Sequence, residues 1–253
     1  MNNEKIIECK NLVKTFTTKN GTVTAVNGIN LSIEKGQCYG LVGESGCGKS
    51  TLSSLICALQ NPDSGEILYY GKPVKNKKNF RRHCQIIFQD PYSSLNPKMK
   101  IKSIIEEPLK IHKIGKTKTE RQKLVNEMRT LIGLPPDSLE KYPHQLSGGQ
   151  RQRVAIASSM ILNPEFVICD ECVSALDVLI QAQILNLLKT MQKSLNLTYL
   201  FISHNLNVVA YMADKIGVMY KGQIVEEKPA EELLSNPEHP YTKSLLQAAG
   251  INY

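Results

Sequence analysis

The sequence predicts an α/β fold: a mixed sheet core, an antiparallel β subdomain at the N-terminus and an inserted helical lobe. Apolar and polar residues alternate over the first 40 residues, as in IIECKNLVKTF and VTAVNGINLSI, which is typical of half-buried antiparallel strands. Later apolar strand patterns are separated by a helical pattern, which indicates a parallel sheet. Residues 91–163 are helical in pattern and rich in Pro and Lys, without an obvious strand.

The individual elements follow from local patterns. A buried strand over residues 38–42 enters a glycine-rich loop and then a helix over residues 51–59, and GEILYYGKPV predicts a short antiparallel pair. The strand patterns at 166–169 and 198–203 flank the helical LIQAQILNLLKTMQK. KIGVMYKGQIVEE predicts a hairpin that turns at Lys221 and Gly222, followed by a mainly helical tail. We therefore expect one domain over residues 1–253, with an α/β part (1–90 and 164–228), a helical lobe (91–163) and a tail (229–253).

Composition limits the class of protein. No apolar run approaches the roughly 18–20 residues that span a bilayer, and the polar start MNNEKIIECK is not a signal peptide, so we expect a cytosolic chain. Seven cysteines at irregular spacing are typical of reduced thiols. Cys169 and Cys172 have C-x-x-C spacing, but no second Cys or His pair lies at zinc-site spacing, so we predict no metal or redox site there.

The net charge of +8 favours an acidic partner such as nucleic acid, an anionic membrane face or nucleotide phosphate. Two stretches, residues 72–82 and 110–123, carry much of this charge. Neither contains the interleaved aromatic residues of a single-strand nucleic-acid groove. The simpler interpretation of both stretches is a solvated basic surface.

A phosphate-binding loop is the strongest chemical signal. GESGCGKST matches G-x-x-x-x-G-K-[ST] between a predicted strand and a predicted helix. Its backbone amides are expected to cradle the β-phosphate, Lys49 to reach the β- and γ-oxygens, and the Ser50 hydroxyl to ligate Mg²⁺. The alternative is a merely glycine-rich turn. The predicted ATP-binding residues of this loop are Gly43, Ser45, Gly46, Cys47, Gly48, Lys49, Ser50 and Thr51.

An acidic pair follows the apolar strand FVIC. Neighbouring strand residues point in different directions, so Asp170 suits the Mg²⁺ shell and Glu171 suits a general base for an attacking water. The next strand, YLFIS, places His204 at its end. A lone histidine in such a place is more often structural than catalytic.

A second anion-binding signal lies in LSGGQ. Ser147, Gly148 and Gly149 open a predicted helix, and the free amides of a helix start suit an anion. A helix N-terminus contributes only about half a positive charge, so this segment does not replace Lys49 and Mg²⁺. It makes better sense facing outward, closing over ATP held by a partner chain.

Taken in order, these motifs resemble an ATP-binding cassette (ABC) transporter ATPase over nearly the whole chain. The P-loop, Gln89 in IFQD, LSGGQ, the Asp170–Glu171 pair, SALD and His204 occur in the family's order. The resemblance implies that Gln89 senses the γ-phosphate and Mg²⁺ and links the site to membrane subunits, and that His204 holds the attacking water with Glu171. It further implies catalytic roles for Glu171, His204 and Lys49, and ligation of Mg²⁺ by Ser50, Gln89 and Asp170. The residues that would contact the partner's ATP are Ser147, Gly148, Gly149 and Gln150. Asp177 would lie at the dimer seam, and Phe16 would stack on adenine. For Phe16 an ordinary core position is the alternative.

A narrower resemblance joins the chain to oligopeptide, dipeptide and nickel importers. IFQDPYSSLNP, SALDVLIQAQILNLL, LTYLFISHNL and HPYTKSLLQAA carry it, and QDPYSSLNP and LTYLFISH look like the second of two ATPase subunits. It implies ATP and Mg²⁺ as cofactors and a heterodimer with a sister ATPase. Two membrane permeases and an extracytoplasmic solute-binding protein would complete the importer, with no nucleic acid. The chain would lie peripherally on the cytoplasmic face of the membrane. The short tail is closer to the nickel or metal-chelate branch.

Two residues depart from the family pattern, Cys172 in place of Pro and Asn205 in place of Asp. Both leave the catalytic groups intact, so we expect hydrolysis. Two alternative functions remain: a soluble ABC ATPase acting on nucleic acid or ribosomes, and a small-molecule kinase, which has no use for LSGGQ. A last hypothesis concerns Cys47, whose position at a helix N-terminus predicts a lowered thiol pKa, rapid reaction with maleimide and protection by ATP.

Overall fold

The computed structural model describes residues 4–18 and 21–251, in two sheets surrounded by helices. The strands in this part of the chain are β1 (Lys5–Thr18), β2 (Gly21–Glu34), β3 (Cys38–Val42), β4 (Ser64–Tyr69), β5 (Lys72–Pro73), β6 (Cys84–Ile87), β7 (Phe166–Asp170), β8 (Thr198–Ile202), β9 (Lys215–Tyr220) and β10 (Gln223–Pro229). The helices are α1 (Lys49–Ile56), α2 (Lys77–His83), α3 (Pro91–Ser94), α4 (Ile101–Ile111), α5 (Lys118–Leu131), α6 (Gly148–Met160), α7 (Val178–Leu195), α8 (Leu206–Met212), α9 (Ala230–Ser235) and α10 (Pro240–Ala248). Short 3₁₀ turns occupy Pro136–Glu140 and Pro143–Gln145.

One sheet is antiparallel and the other is mixed. The first has the strand order β2-β1-β4-β5, and β1 pairs with both β2 and β4. The second has the order β10-β9-β3-β8-β7-β6, in which β9, β3, β8, β7 and β6 are parallel and β10 returns antiparallel to β9. Ligands of such sheets collect at the carboxyl edge of the parallel strands, which is where β3, β7 and β8 end.

Strand alternation divides the hydrophobic core into two layers. Successive side chains of a strand point to opposite faces. In β3, Tyr39 and Leu41 face a layer shared with α1 and the antiparallel sheet. Cys38 and Val42 face a second layer shared with the helices that follow residue 100. The buried strands of the mixed sheet therefore read as continuous apolar runs, because both of their faces are covered.

The structure confirms the predicted α/β class, the N-terminal antiparallel sheet and the hairpin with Lys221 and Gly222 at its turn. The described residues between 91 and 163 form helices and turns and no strand. Three elements were not predicted: α2 and the four-residue β6, which a lysine-rich run hides, and the seven-residue α8. The helix after the loop runs over Lys49–Ile56 and not over 51–59, since it starts at the glycine cap and ends at Cys57.

The division into an α/β part, a lobe and a tail stays a prediction, and its outer limits, residues 1–3 and 252–253, lie outside the described residues. No helix within 4–18 and 21–251 is long and apolar enough to cross a bilayer.

Candidate active site

The loop after β3 has a backbone that only glycine allows at two positions. A Cβ on Gly43 would lie 2.2 Å from the Met219 carbonyl oxygen, and one on Gly48 would lie 2.0 Å from the Ala25 carbonyl oxygen. Both residues also have positive φ, 156° and 112°. The loop is therefore held tightly between β2 and β9. Above Gly46, by contrast, a Cβ would meet nothing within 4 Å, so the loop has an open side.

Lys49 is buried inside its own loop. Its side-chain ammonium donates to the carbonyl oxygens of Gly43, at 2.7 Å, and Glu44, at 2.8 Å. The residue is only 5% exposed. A buried positive charge enclosed by a glycine loop at a helix N-terminus attracts anions. The loop therefore has a shape and a charge that suit the predicted binding of phosphate.

Contacts distant in sequence hold this loop in place. The Gly222 amide donates to the Cys47 carbonyl oxygen at 3.0 Å, a distance typical of such bonds. The Glu44 amide donates to the Tyr241 hydroxyl of α10 at 2.9 Å, and the Tyr241 ring packs on Tyr220 with ring centroids 4.3 Å apart. Sequence reasoning missed Tyr241, because no local pattern connects it with a loop 197 residues away.

The acidic residue at the end of β7 faces α1. Asp170 Oδ2 accepts a hydrogen bond of 2.8 Å from Ser53, and Asp170 Oδ1 lies 3.5 Å from the Ser50 hydroxyl. Burial raises the pKa of Asp170, and the Ser53 hydrogen bond opposes this shift. Sequence reasoning missed Ser53, although its position three residues after Ser50 on a helix places both hydroxyls on one face.

Glu171 and His204 form the second half of the site. His204 Nδ1 lies 3.0 Å from Glu171 Oε2, so the two carboxylates of the acidic pair have different partners. Glu171 has a left-handed backbone, with φ of 50°. Its amide donates to the Ile202 carbonyl oxygen, and its own carbonyl accepts from the Ser174 hydroxyl at 2.9 Å. These bonds hold a strained conformation of the kind that is frequent at functional sites.

The two departures from the family pattern have structural explanations. The Asn205 side chain caps α8, accepting from the amides of Asn207 at 3.0 Å and Val208 at 3.4 Å. Asn and Asp are nearly equivalent N-caps, so this exchange keeps the helix start. Cys172 is 1% exposed and packs with Cys169 in the second core layer, the one that Cys38 and Val42 face, so its small side chain fills a buried position.

The signature segment forms a helix start with its own cap. The Ser147 hydroxyl accepts from the Gln150 amide at 3.3 Å, and the Gln150 side chain accepts from the Ser147 amide at 3.1 Å. A Cβ on Gly149 would lie 2.5 Å from Ile180 of α7, so glycine permits the two helices to approach. Ser147 and Gly148 are exposed. Asp177 caps α7 by accepting a hydrogen bond from the Ile180 amide at 3.0 Å.

The remaining predicted site residues lie at the margins. Gln89 is exposed two residues beyond β6, whose neighbour in the sheet is β7. Phe16 is 37% exposed on β1 with the Lys14 ammonium 5.7 Å from its ring centroid, so it is not an ordinary core residue. Ser45 is exposed and Thr51 is half-buried in the first turn of α1.

The hypothesis of an acidified Cys47 thiol is wrong in its direction. Burial raises the pKa of Cys47, and the nearby Lys49 charge offsets this only in part. The ammonium lies 3.8 Å from the sulfur but is shared with two carbonyl oxygens. Helix position alone was therefore an insufficient guide, because the side chain points into the core and is only 9% exposed.

We expect maleimide to label Cys47 more slowly than free glutathione at pH 7.5, with a rate that rises steeply towards pH 9 as the thiolate forms. Cys47 still labels before the other cysteines, which are at most 3% exposed, and Mg-ATP slows it. Peptide mapping by mass spectrometry measures each site. Labelling of Cys47 faster than glutathione would contradict the raised pKa.

The class of the protein is that of a P-loop nucleotide-hydrolysing enzyme, since the chain combines the glycine loop after β3, the buried Lys49 and the acidic pair at the end of β7. The chain belongs to the ABC transporter family, whose model matches residues 26–174. The resemblance inferred from the motifs is thereby confirmed, and with it nucleotide binding and ATP hydrolysis as the activity.

Curated relatives match over almost the whole chain. The chain is 52% identical over 251 residues to the oligopeptide transport ATP-binding protein OppF of Bacillus subtilis (strain 168), which covers 97% of this chain and 82% of that protein. It is 47% identical over 253 residues to the dipeptide transport ATP-binding protein DppF of Lactococcus lactis subsp. cremoris (strain MG1363). That match covers 97% of this chain and 81% of DppF.

Solved structures agree with the fold. A dimeric ATP-binding cassette, MJ0796, in a post-hydrolysis state with ADP and Pi superposes with a TM-score of 0.79 at 28% identity, over 89% of this chain and 99% of that one. The cbiO1 subunit of the ABC transporter complex cbiONQ from Clostridium perfringens superposes with a TM-score of 0.81 at 27% identity, over 98% of this chain and 96% of that one.

Proposed function

We propose that this chain is the ATP-hydrolysing subunit of an ABC importer for peptides, attached to permeases on the cytoplasmic face of the membrane. The similarity over nearly the full length to oligopeptide and dipeptide transport ATP-binding proteins carries the proposal. A metal chelate is the alternative cargo, which the motif resemblance to nickel importers leaves open. Nucleic-acid binding has the net charge as its sole support.

The residues of the loop fit a triphosphate. The open side above Gly46 leaves room for it, and the buried Lys49 ammonium supplies the positive charge. Release of Lys49 from the Gly43 and Glu44 carbonyl oxygens towards the β- and γ-oxygens is a short movement of a flexible side chain. Phe16, with its exposed ring on β1, stacks on the adenine.

The donor set beside the loop fits Mg²⁺, a hard cation that prefers oxygen ligands. Ser50 and Asp170 would hold it, since their oxygens lie 3.5 Å apart, and Gln89 would approach from the end of β6. When bound, the ion neutralises charge on the phosphate oxygens. Ser53 keeps the Asp170 carboxylate oriented towards α1.

Glu171 acts as the general base. Its carboxylate takes a proton from the attacking water, and His204, at 3.0 Å from it, fixes the orientation of the carboxylate and reaches the γ-phosphate. The strained backbone of Glu171 is anchored by bonds to β8 and Ser174, so the base is positioned before the substrate arrives.

Closure of two ATPase subunits completes the site. The exposed Ser147 and Gly148 at the start of α6 cover ATP held by the partner's loop, as does Gln150. The α6 helix also connects to the Gln89 segment: Ser159 donates to the Ile86 carbonyl oxygen at 3.1 Å, and Arg151 lies 4.1 Å from the Tyr92 ring centroid. Movement at the site can reach the permeases through these contacts. The partner set is a sister ATPase, two permeases and an extracytoplasmic solute-binding protein.

Reconstitution tests this function. The chain is purified in complex with its sister ATPase and both permeases, placed in proteoliposomes, and supplied with the solute-binding protein and labelled peptides or nickel chelates. We expect ATP-dependent uptake of peptide, absent when Lys49→Ala is present in the complex. ATP-dependent uptake of nickel chelate without peptide uptake would contradict the cargo, and hydrolysis stimulated by nucleic acid without any uptake would contradict the importer.

A further inference from the structure

The two basic stretches of the sequence meet at one cavity, which the ATPase function leaves without a role. The cavity, called here the α2 cavity, has a volume of about 310 Å³ and lies between α2 and the end of α4. Lys78 and Arg82 line it from the first stretch, and His112 and Lys113 line it from the second. Residues some 30 positions apart in the chain thus place their charges around one space.

The cations of the α2 cavity lack acidic partners. Among residues 4–18 and 21–251, no carboxylate forms a salt bridge with Lys78, Arg82 or Lys113. Glu165, which contacts the neighbouring His83 at 3.0 Å, is already bound by the Tyr70 hydroxyl at 2.6 Å. The C-terminal end of α4 contributes only about half a negative charge, so it does not balance three full positive charges.

The pKa of His112 depends on this unbalanced positive charge. Burial lowers the pKa of His112, and the positive charges of Arg82 and Lys78 lower it further. The position of the cavity wall is fixed, since the amides of His112 and Lys113 donate to the Pro108 and Lys110 carbonyl oxygens. Lys113 has a left-handed backbone, with φ of 56°, which ends α4 and turns the chain at the cavity.

We propose that the α2 cavity binds a phosphate or phosphate-ester dianion. Three cations that line one small cavity, without a salt bridge to the described part of the chain, recognise this chemistry, and the imidazole beside them can accept the proton that a phosphate monoester carries near neutral pH. The phosphate belongs either to a soluble metabolite or to the headgroup of an anionic lipid. Ile111, 58% exposed at the cavity, offers an apolar contact beside the charges.

The test follows the histidine pKa values by NMR in the full chain, with inorganic phosphate as the probe. We expect saturating phosphate to raise the pKa of His112 by about one unit, since a bound dianion offsets the neighbouring positive charges. Sodium chloride at equal ionic strength corrects for screening. His204 reports separately on phosphate that enters the P-loop, and a His112→Gln chain assigns the signal.

A triple variant, Lys78→Gln, Arg82→Gln and Lys113→Gln, is expected to raise the pKa of His112 before any addition and to abolish its response to phosphate. The control, Lys118→Gln, Lys123→Gln and Lys243→Gln, removes the same charge from exposed positions elsewhere and keeps the response. A pKa of His112 that responds to phosphate no more than to chloride, or equally in both triple variants, overturns the proposal.

Vesicle flotation identifies the source of the phosphate. Binding of the chain to vesicles that contain phosphatidic acid, whose headgroup is a phosphate monoester, but not to phosphatidylcholine vesicles, lost in the first triple variant and kept in the control, assigns the cavity to a lipid headgroup. A response of His112 to inorganic phosphate without such flotation assigns it to a soluble phosphate ester.

Discussion

Replacement of Glu171 by glutamine is expected to lower the ATP hydrolysis rate by about 10²–10⁴-fold, the contribution of a positioned general base. Glutamine cannot accept the proton of the attacking water. It keeps the size of the side chain and an oxygen that can face His204, so nucleotide affinity and thermal stability should remain close to those of the unchanged chain. Phosphate release and nucleotide binding, measured on the same preparations, separate the two effects.

The chain contains a matched control for this variant. Glu165 forms the same type of pair with His83, also at 3.0 Å, at the opposite end of β7. Glu165→Gln removes an equal charge from a Glu–His pair outside the proposed site, and we expect the hydrolysis rate to stay within about twofold, since no general-base contribution is lost. A Glu171→Gln chain that hydrolyses ATP at a rate similar to Glu165→Gln would rule out Glu171 as the base.

Ser147→Arg is expected to abolish ATP-driven closure of the ATPase dimer while this chain still binds ATP. In the proposed dimer, the long cationic side chain would occupy the space between the start of α6 and the partner's nucleotide, whereas the P-loop and Lys49 belong to another part of the fold. Loss of the Ser147 cap costs about 1 kcal/mol of stability, which is too little to unfold the domain. Light scattering of the two ATPase subunits in Mg-ATP measures closure, and equilibrium binding to the isolated chain measures affinity.

Thr117 provides the control for the lost cap. It caps α5 through the same reciprocal arrangement, with Glu120 as its partner. Thr117→Arg therefore has a similar cost in stability in a helix without a proposed contact with nucleotide, and closure should persist. If Ser147→Arg instead prevents the isolated chain from binding ATP, α6 does not act on a partner's nucleotide.

Motifs with fixed local spacing made much of this architecture predictable. The strand, glycine loop and helix around Lys49 form a continuous segment, so its sequence determines its shape. The apolar strands that end at Asp170 and before His204 likewise place both residues at the carboxyl edge, because parallel strands end together. The proximity of Glu171 and His204, whose side-chain atoms lie 3.0 Å apart, is a consequence of that topology.

Features that depend on distant contacts or on burial were not predictable. β6 has only four residues, Cys84–Ile87, and exists because it pairs with β7. The direction of the Cys47 pKa shift depends on how deeply the sulfur is buried, which a motif does not state. Ser53, by contrast, could have been predicted, since helical spacing places it on the same face as Ser50.

The hydrogen bond between the Glu44 amide and the Tyr241 hydroxyl means that the conformation of the glycine loop depends on residues from both ends of the chain. Whatever displaces α10, such as a bound protein, a fusion tag or a substitution on its buried face at Leu246, changes the support of the loop without approaching the nucleotide. We therefore expect that the affinity for ATP can be changed through α10, which contributes no reacting group. Substitutions there can tune the enzyme while its reacting groups stay constant.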